Sequence, residues 1–176
     1  ARKRMNFATP DDASYRVLMV CMANYCRSPT AEGVLRQRIA SAGLQGRVEV
    51  DSAGTHAYHE GEAPDPRTRA HAAKRGYDLS RLRAREIDDA DFERFHLVLA
   101  MDWDNLALLE ARCPPQHRRK LKRLMEFAPE AGSPVVPDPY YGDAAGFERV
   151  LDLIEAACDG LVDRLSKTLT SRHGTS

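Results

Sequence analysis

Short apolar runs alternate with amphipathic stretches along this chain. The run RVLMVC at residues 16–21 is apolar and β-branched, which is typical of a buried strand. Residues 47–50 alternate and predict a second strand, with residues 52–55 as its exit loop, and residues 96–101 predict a third. Strands separated by helical stretches favour an α/β domain with a mostly parallel sheet and helices on both faces.

The helical stretches carry start and stop signals. Ser28 and Pro29 are a suitable cap and first-turn pair for a helix that ends before Gly43. Further helices are predicted, in chain order, at residues 65–74, at residues 88–95 and after the capping residue Asp102. Residues 120–127 fit either a strand or a helix. The last helix is predicted by an apolar stripe with 3.6-residue spacing, formed by Phe147, Val150, Leu151, Ile154, Cys158, Leu161, Val162 and Leu165.

Length and composition fit one domain. The chain has 176 residues, of which 43% are hydrophobic, enough for a core without disulfides or metal. Residues 1–14 are polar, lack the apolar stretch of a secretory signal and are expected to form a flexible tail. We expect the folded domain at residues 15–170 and a second flexible tail at residues 171–176. No apolar run approaches the ~20 residues of a membrane-spanning helix, so no membrane insertion is expected.

The charge and the cysteine content limit which classes of binding partner and which cellular compartment are expected. Lys plus Arg equals Asp plus Glu, 26 against 26, so no overall field favours nucleic acid or a membrane surface. The basic run at residues 118–123 is interpreted as a solvated face. The chain has four cysteines but does not need disulfides to fold, which favours a reducing compartment and hence the cytoplasm. The histidines show no zinc spacing, so no metal and no cofactor are expected.

One segment carries a chemical signal. Cys21 and Arg27 are separated by five residues and lie between the first strand and the first helix. Loop amides and a helix amino terminus attract anions, arginine binds phosphate oxygens in pairs, and the same positive field favours a thiolate. A thiolate beside bound phosphate is a nucleophile in position. The spacing also fits a buried, inert cysteine, so these residues alone leave both interpretations open.

Four segments in order resemble the motifs of the low-molecular-weight protein tyrosine phosphatases. They are residues 20–32 (VCMANYCRSPTAE), 52–55 (SAGT), 100–105 (AMDWDN) and 138–142 (DPYYG). The similarity runs from about Val17 to Leu165. It implies a single three-layer α/β/α domain with a central four-stranded parallel sheet. It also implies hydrolysis of phosphotyrosine in protein substrates, with no cofactor.

The resemblance implies roles for the matching residues. Cys21 would form a phosphocysteine, Arg27 would bind the phosphate oxygens, and Asp138 would act as general acid and then as base. Asn24 would hold the loop in a left-handed backbone conformation. The remaining supports of the loop would be Met22, Ala23, Tyr25, Cys26, Ser28 and Ser52. The walls of an aromatic substrate slot would be Tyr58, Tyr140 and Tyr141.

Several points stay open on the sequence. Cys26 is either a packing residue or, as the resemblance implies, the partner of Cys21 in a reversible disulfide. Ala23 replaces a usual Gly, Leu82 a usual His and His96 a usual Asp, and these changes are expected to weaken the support of the loop. Ala23 would be strained only at a positive φ. The oligomeric state and the physiological substrate are not indicated.

Two other functions compete with the phosphatase. A thiol-dependent arsenate reductase shares this fold, but it needs further cysteines to pass a disulfide outward. None lies at residues 75–95, and Cys113 and Cys158 fall on helical apolar stretches. A module that binds an oxyanion without hydrolysing it is the other alternative. The three departures favour such a module, whereas Cys21, Arg27 and Asp138 together favour catalysis.

Overall fold

Four parallel strands form the sheet in the computed structural model, which describes residues 14–173 and their side chains up to residue 170. The strands are β1 (Tyr15–Cys21), β2 (Val48–Gly54), β3 (Leu97–Ala100) and β4 (Leu121–Arg123). Their order across the sheet is β2-β1-β3-β4, so the chain winds outward from β1 in both directions. The predicted α/β class with a four-stranded parallel sheet is confirmed.

Helices follow the strands in the predicted alternation. They are, in chain order, α1 (Arg27–Ser41), α2 (Pro66–Lys74), α3 (Asp89–Arg94), α4 (Trp103–Arg112) and α5 (Ala144–His173). Two 3₁₀ turns, Pro115–Lys120 and Leu124–Phe127, flank β4. The ambiguous residues 120–127 therefore divide between a short strand and a helical turn. None of the helices in residues 14–173 is long and apolar enough to cross a membrane.

The two faces of the sheet carry separate apolar cores. Side chains alternate along a strand, so Val17 and Met19 of β1 point to one face and Leu18 and Val20 to the other. The first face packs against α1 and α5 in the larger core. The second face packs against α3 and α4, which contribute residues such as Phe92 to the smaller core. This burial on both faces explains why β1 is an uninterrupted apolar run.

Two predicted boundaries shift. Residues 52–54 were expected in a loop but continue β2, because Gly54 still pairs with Cys21 of β1. Polar Asp51 and Ser52 lie inside that strand, buried and hydrogen-bonded. Helix α1 begins at Arg27 rather than after Ser28, and its cap residue Cys26 makes no side-chain capping bond.

The expected tails fall largely outside the described residues. Only Ser14 of the N-terminal segment 1–14 is described, and α5 continues to His173 within the C-terminal segment 171–176.

Two residues of the basic run at residues 118–123 make contacts within the fold. The ammonium of Lys120 donates to the carbonyl of Phe92 at 2.7 Å, and the guanidinium of Arg123 lies 3.9 Å from the Trp103 ring centroid.

Candidate active site

The cysteine loop, residues 21–28, joins the carboxyl end of β1 to the amino terminus of α1. Its first residue, Cys21, is buried, and the sulfur faces the helix start. The backbone N–H of Ser28 donates to Cys21 Sγ at 3.4 Å, and Ser28 Oγ lies 3.1 Å from the same sulfur. Donors at the positive end of a helix stabilise negative charge on sulfur. The loop therefore places two polar groups, a backbone N–H and a hydroxyl, against the sulfur of Cys21.

Asn24 holds the shape of the cysteine loop. Its φ of 54° is the one positive value among the described non-glycine residues. Its side-chain amide donates to Ser28 Oγ at 2.8 Å and to Ser52 Oγ at 2.9 Å. Its carbonyl oxygen accepts from the backbone N–H of Arg85 at 3.0 Å. Ala23 consequently has a negative φ, so its substitution for glycine adds no backbone strain.

A buried carboxylate continues this network beneath the loop. Ser52 Oγ donates to Glu32 Oε1 at 2.6 Å, and Glu32 is fully buried in α1. Arg36 Nη2 donates to the other carboxylate oxygen of Glu32, also at 2.6 Å. The polar groups under the loop are thus paired with one another. Such paired networks rigidify a site, because each buried group would lose much free energy without its partner.

Arg27 is oriented before any ligand arrives. Its Nη1 donates to Asp102 Oδ2 at 2.6 Å and to the carbonyl of Val136 at 3.0 Å. Its Nη2 lies 3.8 Å from Asp138 Oδ2. Burial opposes the charge of this guanidinium, but the negative charges of Cys21, Asp102 and Asp138 outweigh burial and raise the pKa of Arg27. A fixed cation therefore lies beside the sulfur.

Gly54 lets the cysteine loop approach β2 closely. A Cβ at this position would lie 2.8 Å from the backbone carbonyl carbon of Ala23 and 2.9 Å from the N of Asn24. Backbone atoms cannot move aside as a flexible side chain can. A glycine is therefore required where the loop crosses the end of β2.

The aspartate loop, residues 137–143, covers the cysteine loop from the opposite side. Asp138 Oδ1 accepts from the backbone N–H of Tyr140 at 3.1 Å, and 44% of the Asp138 side chain is exposed. The carboxylate thus lies at the cavity, near the guanidinium of Arg27, and remains open to solvent. That placement suits a group that exchanges protons with substrate and water.

A cavity of about 360 Å³ opens between the two loops. Of the predicted residues, those that line this cavity are Cys21, Met22, Ala23, Tyr25, Cys26, Arg27, Tyr58, Asp138, Tyr140 and Tyr141. The other three, Asn24, Ser28 and Ser52, lie beneath the loop in the buried network. The structure therefore brings all the predicted site residues together.

The sequence analysis missed several residues of the site. His59 lines the cavity and stacks on Tyr25, with ring centroids 3.7 Å apart. Asp102 was predicted only as a helix cap, yet one carboxylate oxygen caps α4 at Asn105 and the other binds Arg27. Arg85 had no local signal, because its contact with Asn24 spans 61 residues. The one available signal was that Asp102 directly follows the predicted third strand, since the carboxyl ends of parallel strands meet at one side of the sheet.

Two of the three departures from the family pattern lie outside this network. Leu82 packs, half-buried, against the larger apolar core. His96 accepts a hydrogen bond from the backbone N–H of Arg16 at 3.0 Å and stacks on Tyr15. Arg16 and Tyr15 lie at the start of β1, whereas Cys21 lies at its end. His96 is therefore at the opposite end of the strands from the cysteine loop.

The other three cysteines have raised pKa values. All four cysteines are free and buried. Burial raises the pKa of Cys26 to about 12, so its sulfur stays a neutral thiol beside the cavity. Burial also raises the pKa of Cys113 and of Cys158, which lie in the two apolar cores. Within residues 14–173, no group of three or more His, Cys, Asp or Glu side chains is arranged to hold a metal ion.

Comparisons with known proteins agree with this geometry. A family model described as low molecular weight phosphotyrosine protein phosphatase matches residues 16–171. The low molecular weight protein-tyrosine-phosphatase of Streptomyces coelicolor is 43% identical over 162 residues, which cover 90% of this chain and 98% of that protein. A crystal structure of a protein tyrosine phosphatase from Entamoeba histolytica, with Hepes in its active site, matches with a TM-score of 0.86 and 40% identity, covering 88% of this chain and 99% of that one.

Proposed function

Because this chain belongs to the low molecular weight phosphotyrosine protein phosphatase family and is a protein-tyrosine phosphatase, we propose that it acts through a phosphocysteine on Cys21. One observation supports this mechanism above the others: Cys21, Arg27 and Asp138 face a single cavity at the start of a helix. Nucleophile, oxyanion clamp and proton donor are the three roles that phosphoryl transfer through a covalent intermediate requires.

In the first step, Cys21 attacks phosphorus. The S–P bond forms while the bond between phosphorus and the tyrosine oxygen breaks, and Asp138 gives its proton to the departing phenolate. The phenolate is a moderate leaving group, since tyrosine has a pKa of about 10, so protonation accelerates its departure. Arg27 and the amides of the cysteine loop bind the phosphoryl oxygens as their charge is redistributed.

In the second step, water hydrolyses the phosphocysteine. Asp138, now a carboxylate, takes a proton from the attacking water, the new O–P bond forms and the S–P bond breaks. Inorganic phosphate and the Cys21 thiolate are the products. The contacts of Arg27 with Asp102 and Val136 hold its guanidinium in one plane throughout. Donors that need no reorientation are the most effective stabilisers of a charged transition state.

Aromatic side chains around the cavity support specificity for phosphotyrosine. Tyr140 stands edge-on to Tyr141, with centroids 4.8 Å apart, and Tyr25 lies beside both His59 and Tyr140. Tyr58 stacks on His56 at the rim. Rings favour stacked or edge-on contacts with another ring. A long aromatic residue reaches the sulfur through this slot, whereas phosphoserine is too short to use its walls.

The free thiols support a cytoplasmic location and a redox role. The nucleophile must stay reduced for catalysis, which a reducing compartment ensures. Cys26 lies in the same loop as Cys21, and its neutral thiol does not compete as a nucleophile. If a peroxide oxidised the Cys21 thiolate to a sulfenic acid, the Cys26 thiol would displace water from it and form a disulfide. Cellular thiols can reduce that disulfide again, so it would protect the nucleophile from irreversible oxidation. Cys113 and Cys158 are buried in the cores, which argues against a relay of disulfides to the surface.

Hydrolysis of an aryl phosphate by matched variants tests the mechanism. We expect Cys21→Ser to lose at least about 10⁴-fold in kcat, because the covalent route closes. Asp138→Ala should lose about 10²- to 10⁴-fold, typical of a lost general acid. Cys113→Ala, which removes a buried sulfur outside the site, serves as the control and should keep its turnover. Full activity in Cys21→Ser would exclude covalent catalysis on this residue.

A further inference from the structure

The guanidinium of Arg67 connects the aspartate loop to the body of the protein. Arg67 is the second residue of α2, and its side chain reaches the aspartate loop. Its Nη2 donates to the backbone carbonyl of Tyr140 at 2.9 Å. The guanidinium also lies over two rings, with centroid distances of 5.6 Å to Tyr140 and 4.9 Å to Phe147. One side chain thus holds the loop by a hydrogen bond and a cation–π contact at Tyr140, and contacts α5 through Phe147.

Asp65 fixes Arg67 from the other side. Arg67 Nη2 and Nε donate to the two Asp65 carboxylate oxygens at 3.0 and 3.3 Å, so the pair is bidentate. The backbone amides of Arg67 and Thr68 donate to the same carboxylate, at 2.7 and 3.3 Å. Burial opposes ionisation of Asp65, but these hydrogen bonds outweigh it and lower its pKa. Asp65 is therefore a charged, stationary anchor.

This anchor is itself joined to the cysteine loop. The backbone N–H of Asp65 donates to the carbonyl of Tyr25 at 3.0 Å. At the other end, the backbone N–H of Tyr140 donates to Asp138 Oδ1 at 3.1 Å. A continuous series of contacts therefore runs from the cysteine loop through Asp65 and Arg67 to the carboxylate of Asp138.

We propose that Arg67 is a positioning residue that fixes the Asp138 carboxylate in place relative to the sulfur of Cys21. The inference rests on the proposed role of Asp138 as general acid. Arg67 does not touch the reacting atoms. It holds the backbone carbonyl of Tyr140, and the N–H of the same residue, on the preceding peptide unit, donates to the Asp138 carboxylate. Because the aspartate loop is exposed, a lost contact would let the carboxylate move. A displacement near 1 Å in a catalytic group can cost about 10²-fold in rate.

The dependence of rate on the leaving group separates this role from a general structural one. Phenyl phosphate releases a basic phenolate that needs a proton, whereas 2,4-dinitrophenyl phosphate releases an acidic phenolate that departs without one. A displaced Asp138 slows the first reaction and spares the second. A distorted cysteine loop slows both, since Cys21 and Arg27 act on every substrate. The ratio of kcat/KM for the two esters therefore reports on the acid alone, because kcat/KM covers the steps up to the first bond cleavage.

The experiment compares Arg67→Met, Arg67→Lys, Arg69→Met and Asp138→Ala with the wild type on both esters. We expect Arg67→Met to lose about 10- to 100-fold in kcat/KM with phenyl phosphate. Its loss with the dinitrophenyl ester should stay below about threefold, because that leaving group needs no acid. Arg67→Lys should recover part of the loss. The lysine ammonium can replace one of the hydrogen bonds, but it cannot make all the contacts of the planar guanidinium at once. Asp138→Ala should show the largest ratio.

Arg69 is the matched control. It lies on the same helix, two residues further, and its guanidinium donates to the carbonyl of Pro64 at 2.9 Å. Arg69→Met should leave both esters unchanged. Equal losses of Arg67→Met on both esters, or no loss on either, would overturn the positioning role while leaving the proposed function intact. If Asp138→Ala itself showed no difference between the esters, the acid assignment would fail, and the role of Arg67 with it.

Discussion

The two loops that form the cavity are built in different ways. In the cysteine loop, Asn24, Arg27 and Ser28 are at most 2% exposed, and each makes hydrogen bonds within the fold. In the aspartate loop, Asp138 is nearly half exposed, and Tyr141 is 94% exposed. The cysteine loop is held from beneath by both β2 and α1. The aspartate loop is held from outside, through Arg67.

In the proposed mechanism, the two loops have different tasks, and this structural difference suits them. Phosphate binding and nucleophilic attack need donors that are fixed in advance, and a buried network supplies them. Proton transfer needs a group that meets substrate, then water, and then releases product, which an exposed loop allows. Changes in the cysteine loop should therefore reduce both stability and activity, whereas changes in the aspartate loop should reduce activity alone.

Arg27→Lys should give the largest effect on this comparison. A lysine supplies charge but cannot bond Asp102, Val136 and phosphate together, so we expect kcat/KM to fall by about 10²- to 10³-fold. The melting temperature should fall as well, because the partly buried carboxylate of Asp102 loses its hydrogen bond from Arg27. Steady-state kinetics and thermal unfolding measure the two effects. Arg164→Lys, an exposed change on α5, is the control, and equal behaviour of the two variants would contradict the fixed-clamp account.

Gly54→Ala should give the next largest effect. The added Cβ would meet the backbone of Ala23 and Asn24. We expect a loss of about 1–3 kcal/mol in the free energy of unfolding, typical of overpacking. A fall of about 10-fold in kcat should accompany it, because the cysteine loop shifts.

Chemical denaturation and turnover are measured on the same Gly54→Ala preparation. The control is Gly146→Ala in α5, where the nearest atom would lie 3.9 Å from the new Cβ. The control should keep its turnover and should not lose stability, because alanine suits a helix at least as well as glycine. A Gly54→Ala protein as stable and as active as the wild type would show that the loop does not depend on this close approach.

Tyr141→Ala should give the smallest effect, and it tests the difference between the exposed aspartate loop and the buried cysteine loop. Its ring is almost fully exposed, so we expect the free energy of unfolding to change by less than about 0.5 kcal/mol. Loss of one wall of the slot should raise KM for a phosphotyrosine peptide by about 3-fold, in line with a single aromatic contact. The KM for small phosphate esters, which do not extend to Tyr141, should change less. A loss of stability comparable to that of Gly54→Ala would remove the distinction between the two loops.

The sequence predicted the parts of this molecule that depend on local pattern. Three features could be recognised from the sequence because each lies within one continuous segment: the apolar run of β1, the apolar stripe of α5 and the Cys21–Arg27 spacing. The end of β2 was missed, since Asp51 and Ser52 are polar yet buried. Their burial depends on partners such as Arg85 and Glu32, which are distant in sequence. Local patterns carry no trace of such pairings.

The same limit applies to the contacts that orient the site. Asp102 was recognised by its capping position, but its bond to Arg27 spans 75 residues. The contact between Arg67 and Tyr140 spans 73 residues. Motifs therefore named the groups to which we assign the chemistry, and only the fold showed which distant side chains contact them.

Trapping the covalent intermediate tests the central claim most directly. Asp138→Ala is mixed with 2,4-dinitrophenyl phosphate, quenched in acid and analysed by intact and peptide mass spectrometry. Attack needs no acid with this ester, while hydrolysis of the intermediate lacks its base, so a phosphocysteine should accumulate. The account predicts one added phosphoryl group, located on Cys21 and absent from Asp138→Ala/Cys21→Ser. Release of dinitrophenol at an undiminished steady rate with no phosphoryl group on Cys21, or with the group on another residue, would contradict it.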